Sequence, residues 1–102
     1  MKEARILVVE DDDAQRRLVV DILRGAGYQV EGVTSAENAL AELERRPLDL
    51  VLSDWKLPGM DGMGLLRQIH GEEREVAFVM VTAYGTIAQA VEAVRSGADD
   101  YL

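Results

Sequence analysis

Acidic and hydroxyl side chains follow the apolar segments of this 102-residue chain at three separate places. Glu10 and Asp11 come after one apolar run, Asp54 after a second and Thr82 after a third. Carboxylates that lie close together repel one another, and a hard divalent cation offsets that repulsion. Oxygen ligands favour Mg²⁺ or Mn²⁺ over zinc, and Mg²⁺ keeps waters that a phosphate can replace. If folding brings these residues together, they predict a divalent-metal site that receives a phosphoryl group.

The acidic run Glu10–Asp13 also has a plainer interpretation when it is taken alone. Aspartates at such a position cap the following helix and keep a loop in water, without any ligand. Asp54, at the end of what we expect to be a neighbouring strand, favours the metal site, because clustered acids from separate segments often mark functional sites.

Composition excludes several classes of protein. The chain has 19 acidic and 11 basic residues and a net charge of −8, which disfavours direct binding to nucleic acid. It has no cysteine, so a disulfide framework, a cysteine-based zinc site and a cysteine nucleophile are excluded. Its apolar runs fall well short of the roughly 20 residues of a membrane span. We expect one cytoplasmic domain over residues 1–102, without a membrane partner.

Apolar runs and turn signals predict strands that alternate with helices. The predicted strands are Ala4–Val9, Tyr28–Val33, Leu48–Ser53, Val76–Val81 and Asp99–Leu102. The predicted helices are Ala14–Gly25, Ala36–Arg45, Gly62–His70 and Ile87–Ser96. Strict alternation with apolar strands indicates an α/β fold with a parallel sheet between two layers of helices. Ligands of such sheets bind at the carboxyl ends of the strands, where the acidic residues lie.

Capping residues and apolar stripes support these helices. Asp12 or Asp13 is expected to cap the first helix, Thr34–Glu37 has the form of a capping box for the second, and Asp61 is expected to cap the third. The apolar residues of the first helix that recur at helical spacing, and are expected in the core, are Leu18, Val19, Ile22 and Leu23.

Four segments of the chain together resemble the receiver domain of response regulators in two-component signalling. They are ILVVEDD (Ile6–Asp12), LDLVLSDWKLPGMDG (Leu48–Gly62), VMVTAYG (Val79–Gly85) and SGADDYL (Ser96–Leu102). The resemblance covers the whole chain, and its finer features are similar to receivers of the NtrC type. It implies a flavodoxin-like (CheY-like) doubly wound parallel sheet of five strands, in the order 2-1-3-4-5.

The resemblance also implies a role for each acidic position. Asp54 becomes the phosphoacceptor and, with Asp11, a direct ligand of Mg²⁺, or of Mn²⁺ as an alternative. Glu10 becomes an outer ligand through water, and the backbone carbonyl of Lys56 becomes the third ligand from the protein.

Two further positions correspond to the switch of the family. Thr82 is the hydroxyl that moves towards the phosphoryl group, and Tyr101 is the aromatic residue whose rotamer changes with it. The residues that shape the loop after the phosphoacceptor are Pro58, Gly59 and Gly62.

The resemblance implies a conformational switch and not an enzyme. A cognate histidine kinase supplies the phosphoryl group, and the face of the fourth helix and fifth strand controls an output domain, usually a transcriptional one. A homodimer is one alternative for the oligomeric state. The family places a lysine and a proline just beyond position 102, followed by a fifth helix, so this chain is expected to lack the last helix.

Three other functions compete with this interpretation. A phosphatase of the haloacid-dehalogenase kind would use Asp54 as nucleophile, but it needs an acid where Lys56 stands. A flavodoxin-like cofactor carrier needs a phosphate-binding loop where Glu10–Asp13 stands. A receiver that has lost phosphorylation and serves only as an interaction module is the third.

Overall fold

A parallel sheet with helices on its faces forms the part of the chain that the structure, a computed structural model, describes: residues 4–81 and 97–101. The strands are β1 (Arg5–Val9), β2 (Gln29–Val33), β3 (Leu50–Asp54), β4 (Ala77–Val81) and β5 (Asp100–Tyr101). The helices within these residues are α1 (Asp13–Gly25), α2 (Ala36–Arg45) and α3 (Gly62–Gly71). Neighbouring strands pair in the order β2-β1-β3-β4-β5, and all pairs are parallel. The predicted α/β fold and strand order are confirmed.

The central strands are buried because their side chains are apolar towards both layers of helices. Leu7, Val9 and Val51 are fully buried and pack against α2 and α3, together with Phe78 of β4. A smaller cluster of Ile6, Val8, Val20 and Val30 lies on the opposite face under α1. Two cores on opposite faces fix the sheet between its helices and hold the carboxyl ends of β1 and β3 side by side.

Side-chain caps begin the helices close to the predicted positions. Asp12 caps α1 by accepting a hydrogen bond from the backbone N–H of Gln15, and Asp61 caps α3 in the same way. Helix α2 is capped by Ser35 and not by Thr34, so the predicted capping box does not close. A single side-chain acceptor is enough here, because it satisfies one of the free N–H groups of the first turn.

The predicted core face of α1 is wrong in part. Val20 is buried, and Val19 and Leu23 pack against the same cluster, but Leu18 and Ile22 are 57% and 62% exposed. Leu18 and Ile22 are four residues apart and therefore share one row along the helix, on a different side from the row that meets β1 and β2. The apolar stripe of α1 is thus wider than the surface that the described residues cover.

The helix predicted over Ile87–Ser96 lies outside the described residues, and so does Thr82. Within the described part, no helix has the length and apolar character that crossing a membrane would require.

Candidate functional site

Three carboxylates from two strand ends meet at the carboxyl edge of the sheet. Val9 pairs with Ser53, so the next residues, Glu10 directly after β1 and Asp54 at the end of β3, lie at the same level of the sheet. Ligand oxygens of Glu10, Asp11 and Asp54 all lie within 4.8 Å of one another. Glu10 and Asp54 are half-buried, whereas Asp11 is exposed. The sequence analysis predicted this convergence from the expected order of the strands, and the structure brings the three residues together.

The crowding of these acids changes the proton affinity of Glu10. The pKa of Glu10 is raised from its ordinary 4.5 to about 8, first by burial, then by the hydrogen bond and negative charge of Asp54, and then by the charges of Asp11 and Asp12. Without a counter-charge, this group of carboxylates therefore binds a proton that an isolated glutamate would release.

This crowding predicts that Glu10→Gln stabilises the metal-free chain at high pH. The folded state binds the Glu10 proton more tightly than the unfolded chain does, so its stability falls as the pH rises from 4.5 to about 8. In EDTA at pH 9 we expect the variant to gain on the order of 1–2 kcal/mol in free energy of unfolding. This is less than the full pKa shift of Glu10 would give, because water screens part of the interaction. At pH 5 the gain should nearly vanish.

Urea unfolding at both pH values measures this effect. Glu75→Gln removes an exposed carboxylate outside the group and is the matched control. An equal gain from both variants, or a gain from Glu10→Gln that does not depend on pH, would contradict the prediction.

The donor set fits a hard divalent cation. All three clustered side chains offer carboxylate oxygens, which suit Mg²⁺ or Mn²⁺, and none offers the nitrogen or sulfur that zinc prefers. Asp12 stands outside the group, since its carboxylate accepts the cap bond of α1. Lys56 lies in the exposed loop two residues after Asp54, and its backbone carbonyl stays a predicted ligand.

Gly62 lets α3 begin against the end of β3. A Cβ atom at this position would lie 2.2 Å from the carbonyl oxygen of Asp54 and 3.0 Å from Trp55 Cα. The backbone N–H of Gly62 also donates a hydrogen bond of 2.8 Å to the carbonyl oxygen of Trp55. Only glycine fits this close approach of two backbones, so Gly62 holds the start of α3 beside the Asp54 main chain.

A contact from α2 holds the rest of this loop. Gly59 follows Pro58 with φ of +73°, a conformation that favours glycine. The next N–H, that of Met60, donates to Glu37 Oε2 at 3.2 Å, and a Cβ on Gly59 would meet the same oxygen at 3.0 Å. Glu37, expected in a capping box, therefore fixes the loop after Asp54. The sequence held no signal for this contact, because the two residues are 23 positions apart.

The predicted switch residues fall at the margin of the described part. Val81, the last residue of β4, pairs with Asp54, and its carbonyl accepts a hydrogen bond from the Trp55 N–H. Thr82 follows Val81 in the sequence but lies outside the described residues. Tyr101 pairs with Met80 through the β5 backbone, and its side chain also lies outside the described part.

Comparison with known proteins decides the family. Residues 6–102 match the response regulator receiver domain family, which is nearly the whole chain. The chain belongs to the response regulator receiver family. The family predicted from the four sequence motifs is thereby confirmed.

Relatives of this receiver domain are longer proteins. Response regulator protein FleR of Pseudomonas aeruginosa is 46% identical over 97% of this chain, which covers 21% of FleR. Transcriptional regulatory protein ZraR of Escherichia coli O157:H7 is 39% identical over 95% of the chain, which covers 22% of ZraR. The receiver domain thus spans about a fifth of the length of these curated relatives.

Solved structures support the same fold. A CheY-like response regulator receiver domain protein from Methanospirillum hungatei superposes on this receiver domain with a TM-score of 0.92 and 37% sequence identity. The match covers 99% of this chain and 81% of that structure.

Proposed function

We propose that this receiver domain accepts a phosphoryl group on Asp54, with Mg²⁺ or Mn²⁺ held by Asp11, Asp54, the carbonyl of Lys56 and, through water, Glu10. The observation that carries the proposal is the meeting of the Glu10, Asp11 and Asp54 carboxylates at the ends of two adjacent strands. These acids come from separate segments, and their mutual repulsion has no structural benefit that would explain the arrangement.

A divalent cation bound there would neutralise the oxygens of the incoming phosphoryl group and of the acids around it. The Asp54 carboxylate attacks the phosphorus in line, its Oδ–P bond forms, and the bond from phosphorus to the donor breaks with its electron pair leaving on the donor. Gly62 and the Glu37-held loop fix the Asp54 main chain during this step. Asp54 acts as nucleophile and Asp11 as cation ligand, so the chemistry requires no further base from the chain.

The new acyl phosphate adds about −1.5 to −2 charge to an acidic site and so requires new hydrogen-bond donors. Thr82, next in sequence to the strand end that pairs with Asp54, is the proposed donor. Tyr101 is proposed to change rotamer with Thr82 and to alter the face of the fourth helix and β5. That face would then bind or release an output domain, and the chain would work as a two-state switch biased by phosphorylation.

The proposed phosphoryl donor is a phosphohistidine of a partner kinase. The proposed output domain is transcriptional, as the name of ZraR says of that relative. A cytoplasmic location is proposed with it, and the chain itself is not proposed to contact nucleic acid, since its net charge of −8 repels phosphate.

Tryptophan fluorescence during a Mg²⁺ titration tests the site. Trp55 is the single tryptophan of the chain and directly follows Asp54, so binding at the acids should change its emission. Asp11→Asn should weaken Mg²⁺ binding by about 10-fold or more, because an amide oxygen carries no charge for a hard cation. Calorimetry gives a second readout that does not depend on Trp55.

Asp12→Asn is the matched control, since it removes the neighbouring charge while asparagine still caps a helix. It should leave Mg²⁺ affinity within about twofold, because the Asp12 carboxylate is exposed and solvent and salt largely screen its charge. A wild-type chain that is folded but shows no binding by either method would refute the metal site. That result would favour the alternative function, a receiver that serves only as an interaction module.

A further inference from the structure

We propose that Arg16 of α1 is a positioning residue for the acidic site: it holds the peptide that joins Glu10 to Asp11, through an opening that Gly32 of β2 provides. The inference rests on the proposed function, because it concerns how the chain places the carboxylates that would hold the cation.

Arg16 binds the backbone between two of the clustered acids. Its Nη1 donates a hydrogen bond of 3.0 Å to the carbonyl oxygen of Glu10, which belongs to the Glu10–Asp11 peptide. The N–H of Glu10 donates to the carbonyl oxygen of Val33 at 3.1 Å. Glu10 is thus held at its amino side by the end of β2 and at its carboxyl side by Arg16. With both peptides fixed, the directions in which the side chains of Glu10 and Asp11 leave the backbone are restricted.

A second hydrogen bond orients the guanidinium group. Nη2 of Arg16 donates to Asp13 Oδ1 at 2.6 Å, in the first turn of the same helix. Asp13 is 84% exposed and the Arg16 side chain only 21% exposed, so the ion pair directs a largely covered arginine. The planar guanidinium donates hydrogen bonds in two fixed directions at once. A lysine ammonium on its flexible stem would hold the same two acceptors in a less defined geometry.

Gly32 explains how the arginine reaches the loop. A Cβ atom on Gly32 would lie 3.1 Å from Arg16 Cγ and Cδ and 3.2 Å from Val20 Cγ2. The aliphatic stem of Arg16 therefore crosses β2 at the position that lacks a side chain. Glycine within a strand often marks the close approach of another group, and here the group is a side chain whose far end binds the metal-site loop.

Arg24 shows what a purely structural arginine of the same helix does. Its Nε and Nη2 both donate to the carbonyl oxygen of Val30, at 3.2 and 2.8 Å. Arg24 thus ties α1 to β2 near the amino end of the strand, away from the carboxyl edge of the sheet where the acids meet. Comparing Arg16 with Arg24 therefore distinguishes an arginine that positions the acidic site from one that only stabilises the packing of α1.

Mg²⁺ affinity of Arg16→Ala and Arg24→Ala, measured by calorimetry and by Trp55 emission, tests the proposal. Arg16→Ala should weaken Mg²⁺ binding by about 10-fold, the usual effect of losing a group that orients metal ligands. Arg24→Ala should leave the affinity within about twofold, the size of a remote charge effect. Urea unfolding of both variants shows whether they lose similar stability, as the paired hydrogen bonds imply.

Two further variants separate positioning from charge. Gly32→Val keeps the positive charge of Arg16 but displaces its aliphatic stem, so it should also weaken Mg²⁺ binding. In an Arg16→Ala background, Gly32→Val should not lower the Mg²⁺ affinity further. Arg16→Lys should recover less than half of the Mg²⁺ affinity that Arg16→Ala loses. Full recovery by lysine with no effect of Gly32→Val would overturn the proposal, because neither the planar guanidinium nor its path past Gly32 would then matter for Mg²⁺ binding. Equal losses from Arg16→Ala and Arg24→Ala would overturn it as well.

The wild-type titration keeps the two proposals apart. If the wild-type chain binds no Mg²⁺, the proposed function fails. If it binds Mg²⁺ and Arg16→Ala binds equally well, only the role of Arg16 fails.

Discussion

Asp54→Asn is expected to abolish covalent labelling of the chain by acetyl phosphate in the presence of Mg²⁺. The carboxylate oxygen of Asp54 forms the new bond to phosphorus as acetate leaves, and an asparagine amide has no anionic oxygen to do this. The loss should be complete, because neither of the other clustered acids sits at the end of β3 where Gly62 and Trp55 fix the main chain.

The mass of the intact protein measures this labelling as the gain of one phosphoryl group. Asp61→Asn is the matched control: it lies in the connection after Asp54, and asparagine replaces aspartate well as the cap of α3. This control should be labelled like the wild type. Mg²⁺-dependent labelling that persists in Asp54→Asn would move the acceptor to another residue. A wild-type chain that binds Mg²⁺ but is never labelled would support an interaction module that keeps only the metal site.

The convergence of the acids could be predicted because it follows from topology. Parallel strands have their carboxyl ends at one edge, so residues after β1 and β3 must meet once the order of the strands is known. Alternation of apolar strands with helices supplied that order together with the family resemblance. No side-chain detail was needed to bring Glu10, Asp11 and Asp54 within 4.8 Å of one another.

The contacts that support the acids could not be predicted. Glu37 and Met60 are distant in sequence, and Glu37 has a local explanation as a capping residue that the structure does not bear out. Arg16 is an ordinary helix-surface residue by pattern, and its bond to the Glu10 carbonyl depends on how α1 lies across Gly32. Periodicity describes which side of a helix is apolar, but it does not describe where a long polar side chain ends.

The same limit explains the error in α1. Hydrophobic spacing grouped Leu18 and Ile22 with Val19 and Leu23, although only the row nearer β1 and β2 is covered in the described residues. An apolar stripe wider than the sheet contact gives the correct helix and an incorrect core face.

Gly62→Ala is expected to destabilise the chain by at least about 2 kcal/mol, the cost of forcing an extra methyl group into a filled space. The obstacle at 2.2 Å is the carbonyl oxygen of Asp54, which is backbone and cannot rotate away as a side chain would. Relief requires the start of α3 or the end of β3 to move. Either movement displaces the main chain of the proposed phosphoacceptor, so Mg²⁺ affinity should fall together with stability.

Gly71→Ala provides the matched comparison within the same helix. Gly71 ends α3, and a Cβ there would have no heavy atom within 4 Å. Alanine is favoured over glycine in a helix by roughly 1 kcal/mol, so this variant should be as stable as the wild type or more stable. Urea unfolding with and without Mg²⁺ measures the free energy of unfolding of both variants and so compares the two positions. Because both substitutions add the same methyl group to the same helix, a loss at Gly62 alone assigns the effect to the contact with Asp54. Equal stability of the two variants would mean that α3 can move away from β3 without cost, and Gly62 would then have no part in holding the site.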